Sequence, residues 1–261
     1  MDFQTLLYEK AEGVGRVTLN RPEKLNAMNF EMLEEMGSLL KEIVADEEVR
    51  VILLTGQGRY FAAGADLEIL STLEPASFRL NQTKYWNRVF RDLEEMQKPT
   101  IAALNGPAIG GGVELALCCD LRYAVDGATL RFPQIDFGLV PDAGATVRLP
   151  WLVGPARAKE LILSGEPLSA REAVRMGLVN RVFPQEEFAR EVGEIAGKMA
   201  KKPPLALGVG KRLINRGIRK ADITAGLEEV TEAQSFLITT EDYREGVRSF
   251  FEKRKPVFRG R

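Results

Sequence analysis

The 261-residue sequence contains no histidine. That absence excludes imidazole acid/base catalysis, histidine-based triads and histidine metal sites. Cysteine is nearly as scarce: Cys118 and Cys119 are adjacent, and neighbours on a helix do not face each other, so no disulfide joins them. Two adjacent thiols are also a poor zinc site, and packing is their expected role. Charge of one sign is missing too, with 36 Lys and Arg against 37 Asp and Glu. Neither a nucleic acid nor an acidic membrane surface is favoured as partner by that balance. No apolar run reaches membrane-spanning length, and Met1-Asp-Phe-Gln4 carries no signal or transit pattern, so a soluble cytoplasmic protein is expected. Catalysis in such a chain rests on carboxylates, amides, hydroxyls, lysines or backbone.

What is present is a globular share of hydrophobic residues, 45%, and two glycine- or alanine-rich turns behind apolar runs. Thr100–Leu104 reads as a buried strand, followed by Asn105-Gly-Pro-Ala-Ile-Gly-Gly-Gly-Val-Glu114 and an apolar helix. Glycines there admit a ligand close to the backbone, and a helix start offers unpaired N–H groups that suit an oxyanion. Glu114 lies three residues past Gly111, which places its carboxylate roughly 5 Å along the same face. Val51–Thr55 is a second buried strand, and Phe61-Ala-Ala-Gly-Ala-Asp66 repeats the device with small side chains. Asp66 also suits the opening of a helix as its cap.

Local patterns supply the rest of the frame. Leu6–Glu9 and Gly15–Asn20 read as paired strands, and Met32, Leu33, Met36, Leu39, Leu40 and Ile43 make Phe30–Ala45 an amphipathic helix. Residues 68–96 read as helical, broken at Pro75, with Leu70, Leu73, Phe78, Tyr85 and Trp86 as candidate pocket liners. Leu121–Ala124 and Thr129–Phe132 follow as strands, and Ser169-Ala-Arg-Glu172 as a capping box. Strand–turn–helix repetition without a dinucleotide fingerprint indicates an α/β fold. Gly177–Val182 is the last strand-like piece, and from Gln185 the chain reads as helices, including one over Ala221–Ile238. Pro203-Pro204 marks the division between a core of residues 1–200 and a helical region of residues 201–261. Apolar faces in so short a region need the core or another subunit to cover them.

These turns, with Arg21-Pro-Glu-Lys-Leu-Asn-Ala27 and the closing Glu252-Lys-Arg-Lys-Pro-Val-Phe258, resemble the crotonase family of enoyl-CoA hydratases and isomerases over nearly the whole chain. The resemblance implies a ββα spiral core, a C-terminal trimerisation region giving trimers or hexamers, an acyl-CoA thioester substrate and no separate cofactor or metal. It implies an oxyanion hole from the Ala63 and Gly111 amides. Contacts to CoA are implied for Lys24, Ala62, Ala65, Asp66, Phe250 and Lys253. On residues alone, Lys24 is also a surface lysine in a turn, and Lys253 a basic helix end that suits the dipole.

The sequence departs from hydratases at Gln134, where they carry a second glutamate; an amide cannot exchange a proton. Asp142, in Gly138-Leu-Val-Pro-Asp-Ala-Gly144, is similar to dienoyl-CoA isomerases and ring-epoxide isomerases of aromatic acyl-CoA breakdown, though Asp after Pro is also a fair turn or cap residue. Asp136 is a third carboxylate, sharing a face with Gln134 if the segment is extended. Isomerisation through Glu114 and Asp142 is therefore expected first. Hydration of a conjugated or cyclic enoyl-CoA by the same pair comes second, and a non-catalytic acyl-CoA or RNA binder third. Hydrolysis, decarboxylation and dehalogenation also occur on this fold.

Overall fold

The computed structural model describes residues 3–70, 74–218 and 223–261. Its N-terminal half is a mixed sheet. Strands β1 (Leu6–Ala11) and β2 (Val14–Leu19) form an antiparallel hairpin in register Leu6↔Leu19. A turn of 3-10 helix at Pro22–Lys24 leads to α1 (Phe30–Ala45), capped by Asn29 accepting from the Met32 N–H. All six residues of its apolar stripe are buried, as the helical spacing predicts. Strand β3 (Val51–Gly56) then pairs parallel to β2.

Helices α2 (Leu67–Leu70), α3 (Pro75–Asn81) and α4 (Arg88–Glu95) follow, with π-helical backbone over Gln82–Asn87 between the last two. Strand β4 (Thr100–Leu104) returns parallel to β3, with every residue buried. A short strand, β5 (Ala108–Ile109), precedes α5 (Gly111–Leu117). Strand β6 (Leu121–Val125) extends the large sheet, whereas β7 (Thr129–Arg131) pairs with β5.

Pro133 does not continue that strand. The segment Pro133–Phe137 is 3-10 helix, so Gln134 and Asp136 do not share a face as they would in extended chain. Helices α6 (Ala145–Val153) and α7 (Pro155–Ser164), strand β8 (Leu168–Ser169) and helix α8 (Ala170–Arg175) come next. Ser169 and Glu172 form the expected reciprocal cap of α8. Strand β9 (Arg181–Phe183) is shorter than the sequence suggested, because Gly177 turns the chain at positive φ. The large sheet has order β1-β2-β3-β4-β6-β9, all parallel except the first pair; β5-β7-β8 form a small second sheet. Two sheets stepped against each other, with helices covering them, give the ββα spiral.

Four helices close the chain: α9 (Gln185–Ala200), α10 (Pro204–Gly217), α11 (Ile223–Ile238) and α12 (Glu241–Phe251). The expected start of α11 at Ala221 lies outside the described residues. Helix α10 packs on the core rather than apart from it: Lys211 is buried against Asp120, with Nζ–Oδ2 3.0 Å. The chain end is tied back as well, with both Asp242 carboxylate oxygens accepting from the Arg259 and Gly260 N–H groups and Arg50 donating to the Phe258 carbonyl. In contrast, α11 and α12 leave Leu227, Phe236, Val247, Phe250 and Phe251 exposed. No helix among the described residues is long and apolar enough to cross a membrane.

Candidate active site

The glycine turn and the alanine turn meet because one helix is allowed to press on a strand. A Cβ at Gly112 would sit 2.2 Å from the Ala62 carbonyl oxygen, so only glycine permits this approach. Ala62 is fully buried there, accepting from the Ile109 N–H at 2.9 Å. It was expected against CoA; it is instead enclosed between β5 and α5, with no surface to offer.

The backbone donors also differ from expectation at one position. The Ala63 N–H donates to the Leu25 carbonyl at 3.0 Å and is not available to a ligand. Ala65 is the residue whose N–H is left over. A parallel bridge joins it to Met28, using the Gly64 carbonyl and the Asp66 N–H, so Ala65's own N–H turns to the opposite side. Gly111 opens α5, and the first N–H groups of a helix lack intrahelical acceptors. Among the described residues, neither Ala65 nor Gly111 has a backbone acceptor. They are neighbours: a Cβ on Gly111 would lie 3.5 Å from the Ala65 nitrogen.

Both donors line a cavity of about 820 Å³. Its apolar wall includes Phe30, Phe78, Trp86, Phe137, Leu139 and Val140. Phe78 and Trp86 were expected there; Tyr85 instead stacks on Phe30, with ring centroids 4.8 Å apart. Leu73 and the Leu70 side chain lie outside the described residues. No local pattern marks residues 137–140 as cavity lining; they reach it through the 3-10 turn of Pro133–Phe137.

Glu114 lines the same cavity and is 1% exposed. Its Oε1 accepts from the Ala145 N–H at 2.9 Å, and its Oε2 accepts from Gln134 Nε2 at 3.2 Å. Burial raises its pKa to about 7, offset in part by the Ala145 hydrogen bond; the nearby Asp142 charge raises it further. Asp142 is accessible from the cavity, and partial burial raises its pKa as well. The Gln134 Oε1 is buried without a partner among the described residues. Glu114, Gln134 and Asp142 are thus brought together around one space with Ala65 and Gly111.

Asp136 lines the cavity but pairs with Arg131 at 2.9 Å. Asp66 also reaches it, while opening α2 through the Glu68 N–H and pairing with Arg21 at 3.0 Å. Lys24 is outside the cavity, ion-paired to Glu68 at 2.7 Å. Phe250 and Lys253 are exposed on and just beyond α12, and one chain does not bring them to the cavity.

The whole chain has close relatives. A family model described as enoyl-CoA hydratase/isomerase matches residues 9–261. The short-chain-enoyl-CoA hydratase of Clostridium acetobutylicum is 40% identical over 259 residues, covering 98% of this chain and 97% of that protein. The 2,3-dehydroadipyl-CoA hydratase of Escherichia coli is 38% identical, covering 98% and 99%. A crystal structure of enoyl-CoA hydratase from Bacillus anthracis superposes with a TM-score of 0.95 at 37% identity, covering 99% of this chain and all of that one. An α/β core of stepped sheets, a glycine-opened helix carrying a buried glutamate, and these whole-length matches together make this chain a member of the enoyl-CoA hydratase/isomerase family.

Proposed function

We propose that the protein shifts a carbon–carbon double bond along an acyl-CoA thioester. The observation that carries this reading is the set of groups around Glu114: one fully buried carboxylate, an amide on its second oxygen, and a second carboxylate, Asp142, lining the same cavity. The thioester carbonyl accepts from the Ala65 and Gly111 N–H groups, which stabilise charge developing on that oxygen. Glu114 takes a proton from C2 of a 3-enoyl or 3,5-dienoyl thioester. The freed electron pair delocalises onto the carbonyl oxygen, and Glu114 or Asp142 returns a proton at C4, leaving a 2-enoyl thioester of unchanged mass. A carboxyl group with pKa about 7 suits both halves of the step, since it gives and takes protons at neutral pH.

Gln134 holds Glu114 in place but neither activates water nor accepts its proton. The apolar wall suits an uncharged acyl chain. We assign Lys24 and the backbone at Ala65 and Asp66 to the CoA portion, with Phe250 and Lys253 supplied by a second copy. Hydration by Glu114 and Asp142 is the second reading, favoured by relatives that carry the name hydratase. The double-bond shift is tested by Glu114→Gln and Asp142→Asn. Each is expected to lower kcat by about 100-fold or more, the scale of a lost general acid or base. Wild-type turnover in both would contradict the proposal.

A further inference from the structure

Arg148 does not line the cavity, yet it ties α4 to the turn that bonds Glu114. It sits one turn into α6 and donates from Nη1 back to the Ala143 carbonyl at 3.0 Å. From Nη2 it donates to Glu94 Oε2 on α4 at 2.8 Å, a pair whose side chains are only 21% and 17% exposed. Its Nε is buried without a partner among the described residues. Gly144 makes room for this arrangement: it has φ 116°, and a Cβ there would fall 1.7 Å from Arg148 Nη1. The guanidinium occupies the space a side chain would fill.

The turn it grips, residues 142–145, supplies two parts of the site. Asp142 is at its start, and at its end the Ala145 N–H donates to Glu114 Oε1. A mostly covered guanidinium with an unpaired N–H is a poor source of stability, because burying a charge and orphaning a donor both cost free energy. An apolar side chain could fill the same volume, but it would hold neither the Ala143 carbonyl nor a positive charge near Glu114.

We propose that Arg148 is a positioning residue for the reaction: braced on Glu94, its guanidinium fixes the 142–145 turn that presents the Ala145 N–H to Glu114 and holds Asp142 beside it. The proposal rests on the assignment of Glu114 as the acid/base. Charge acts in the same direction as geometry, since Arg148 draws the pKa of Glu114 down against burial. The other ionisable groups around Glu114 are Asp142 on the turn, Cys118 one helical turn along α5, Glu94 behind Arg148, and Asp66, Arg131 and Asp136 on the cavity wall.

The test is a titration that needs no substrate. With glutamate carboxyl carbons labelled with 13C, the Glu114 signal is the one lost in Glu114→Gln. In Arg148→Met its midpoint should rise by at least a few tenths of a pH unit, as expected for loss of an opposite charge and of the grip on the turn that carries the Ala145 N–H. In Arg148→Lys, which keeps the charge and loses the fork, the rise should be smaller. Turnover of a 3-enoyl-CoA should fall about tenfold in kcat in Arg148→Met, with KM little changed, as misplacement of a catalytic group predicts. A wild-type midpoint in Arg148→Met overturns the proposal; if that variant does not fold, a wild-type midpoint and kcat in Arg148→Lys overturns it. Full turnover in Glu114→Gln would instead remove the catalytic assignment, while the measured coupling between Arg148 and Glu114 stood.

Discussion

At the scale of single residues, burial of Glu114 costs stability at neutral pH. Its folded pKa of about 7 exceeds the ordinary 4.5, so the folded state binds its proton more tightly than the unfolded chain does. Stability is therefore lost as pH rises from about 4.5 to about 7, the window between the unfolded and folded values. Glu114→Gln removes that loss. The new amide keeps the Ala145 hydrogen bond through its oxygen, and a turned Gln134 can present its Oε1, which has no partner among the described residues, to the new N–H. Urea denaturation should find Glu114→Gln more stable than wild type at pH 8, by on the order of 3 kcal/mol, and equal to it near pH 4. Equal stability at both pH values would show that Glu114 is not held against its charge. Gln134→Glu has the opposite character, placing a second carboxyl group 3.2 Å from Glu114 Oε2. That variant should gain a hydration product, detected as added mass on an enoyl-CoA; a variant that adds no water would show that Gln134 is not what suppresses hydration.

Elements place these residues, and here the sequence was legible in part. The helix Phe30–Ala45 and the strands Val51–Gly56 and Thr100–Leu104 follow from spacing, because burial of one helical stripe or of a whole strand leaves a pattern in the chain itself. The glycine turn and Glu114 were legible for another reason: glycines ahead of a helix mark a close backbone approach, and Glu114 follows Gly111 by three residues on the same face. Choosing between Ala63 and Ala65 was not: both are small residues in one turn, and only the contacts with Leu25 and Met28, distant in sequence, decide which N–H remains. The segment after Pro133 misled for a related reason, as its 3-10 turn is fixed by packing rather than by a local pattern. Arg148 was invisible because its partners Glu94 and Ala143 converge only in the fold. The close contact of α5 with the alanine turn makes a sharp prediction. Gly112→Ala drives a methyl group against the Ala62 carbonyl, and should lower stability by about 1–3 kcal/mol while parting Gly111 from Ala65. Thermal unfolding and kcat/KM measured together check this. A stable variant with unchanged activity would show that the spacing of the two donors has slack.

Over the whole molecule, the sheets, α1 and α4 to α9 supply one buried core, whereas α11 and α12 leave large apolar side chains exposed. Large exposed apolar patches mark surfaces of association. Self-association into three or six chains is the expected cover, and it would also bring Phe250 and Lys253 of one chain toward the cavity of another. Light scattering should give a mass of three or six chains, and Phe236→Glu should reduce it; a monomeric wild type would contradict this. Balanced charge fits an anionic thioester guided by local groups rather than by the field of the whole protein.

The most direct measurement is mass spectrometry of 3-enoyl-, 2-enoyl- and dienoyl-CoA thioesters incubated with the protein in heavy water. We expect a moved double bond with deuterium at the carbons that exchanged protons, and no added water. A product heavier by one water, formed without double-bond migration, would contradict isomerisation and make Glu114 and Asp142 the pair that hydrates.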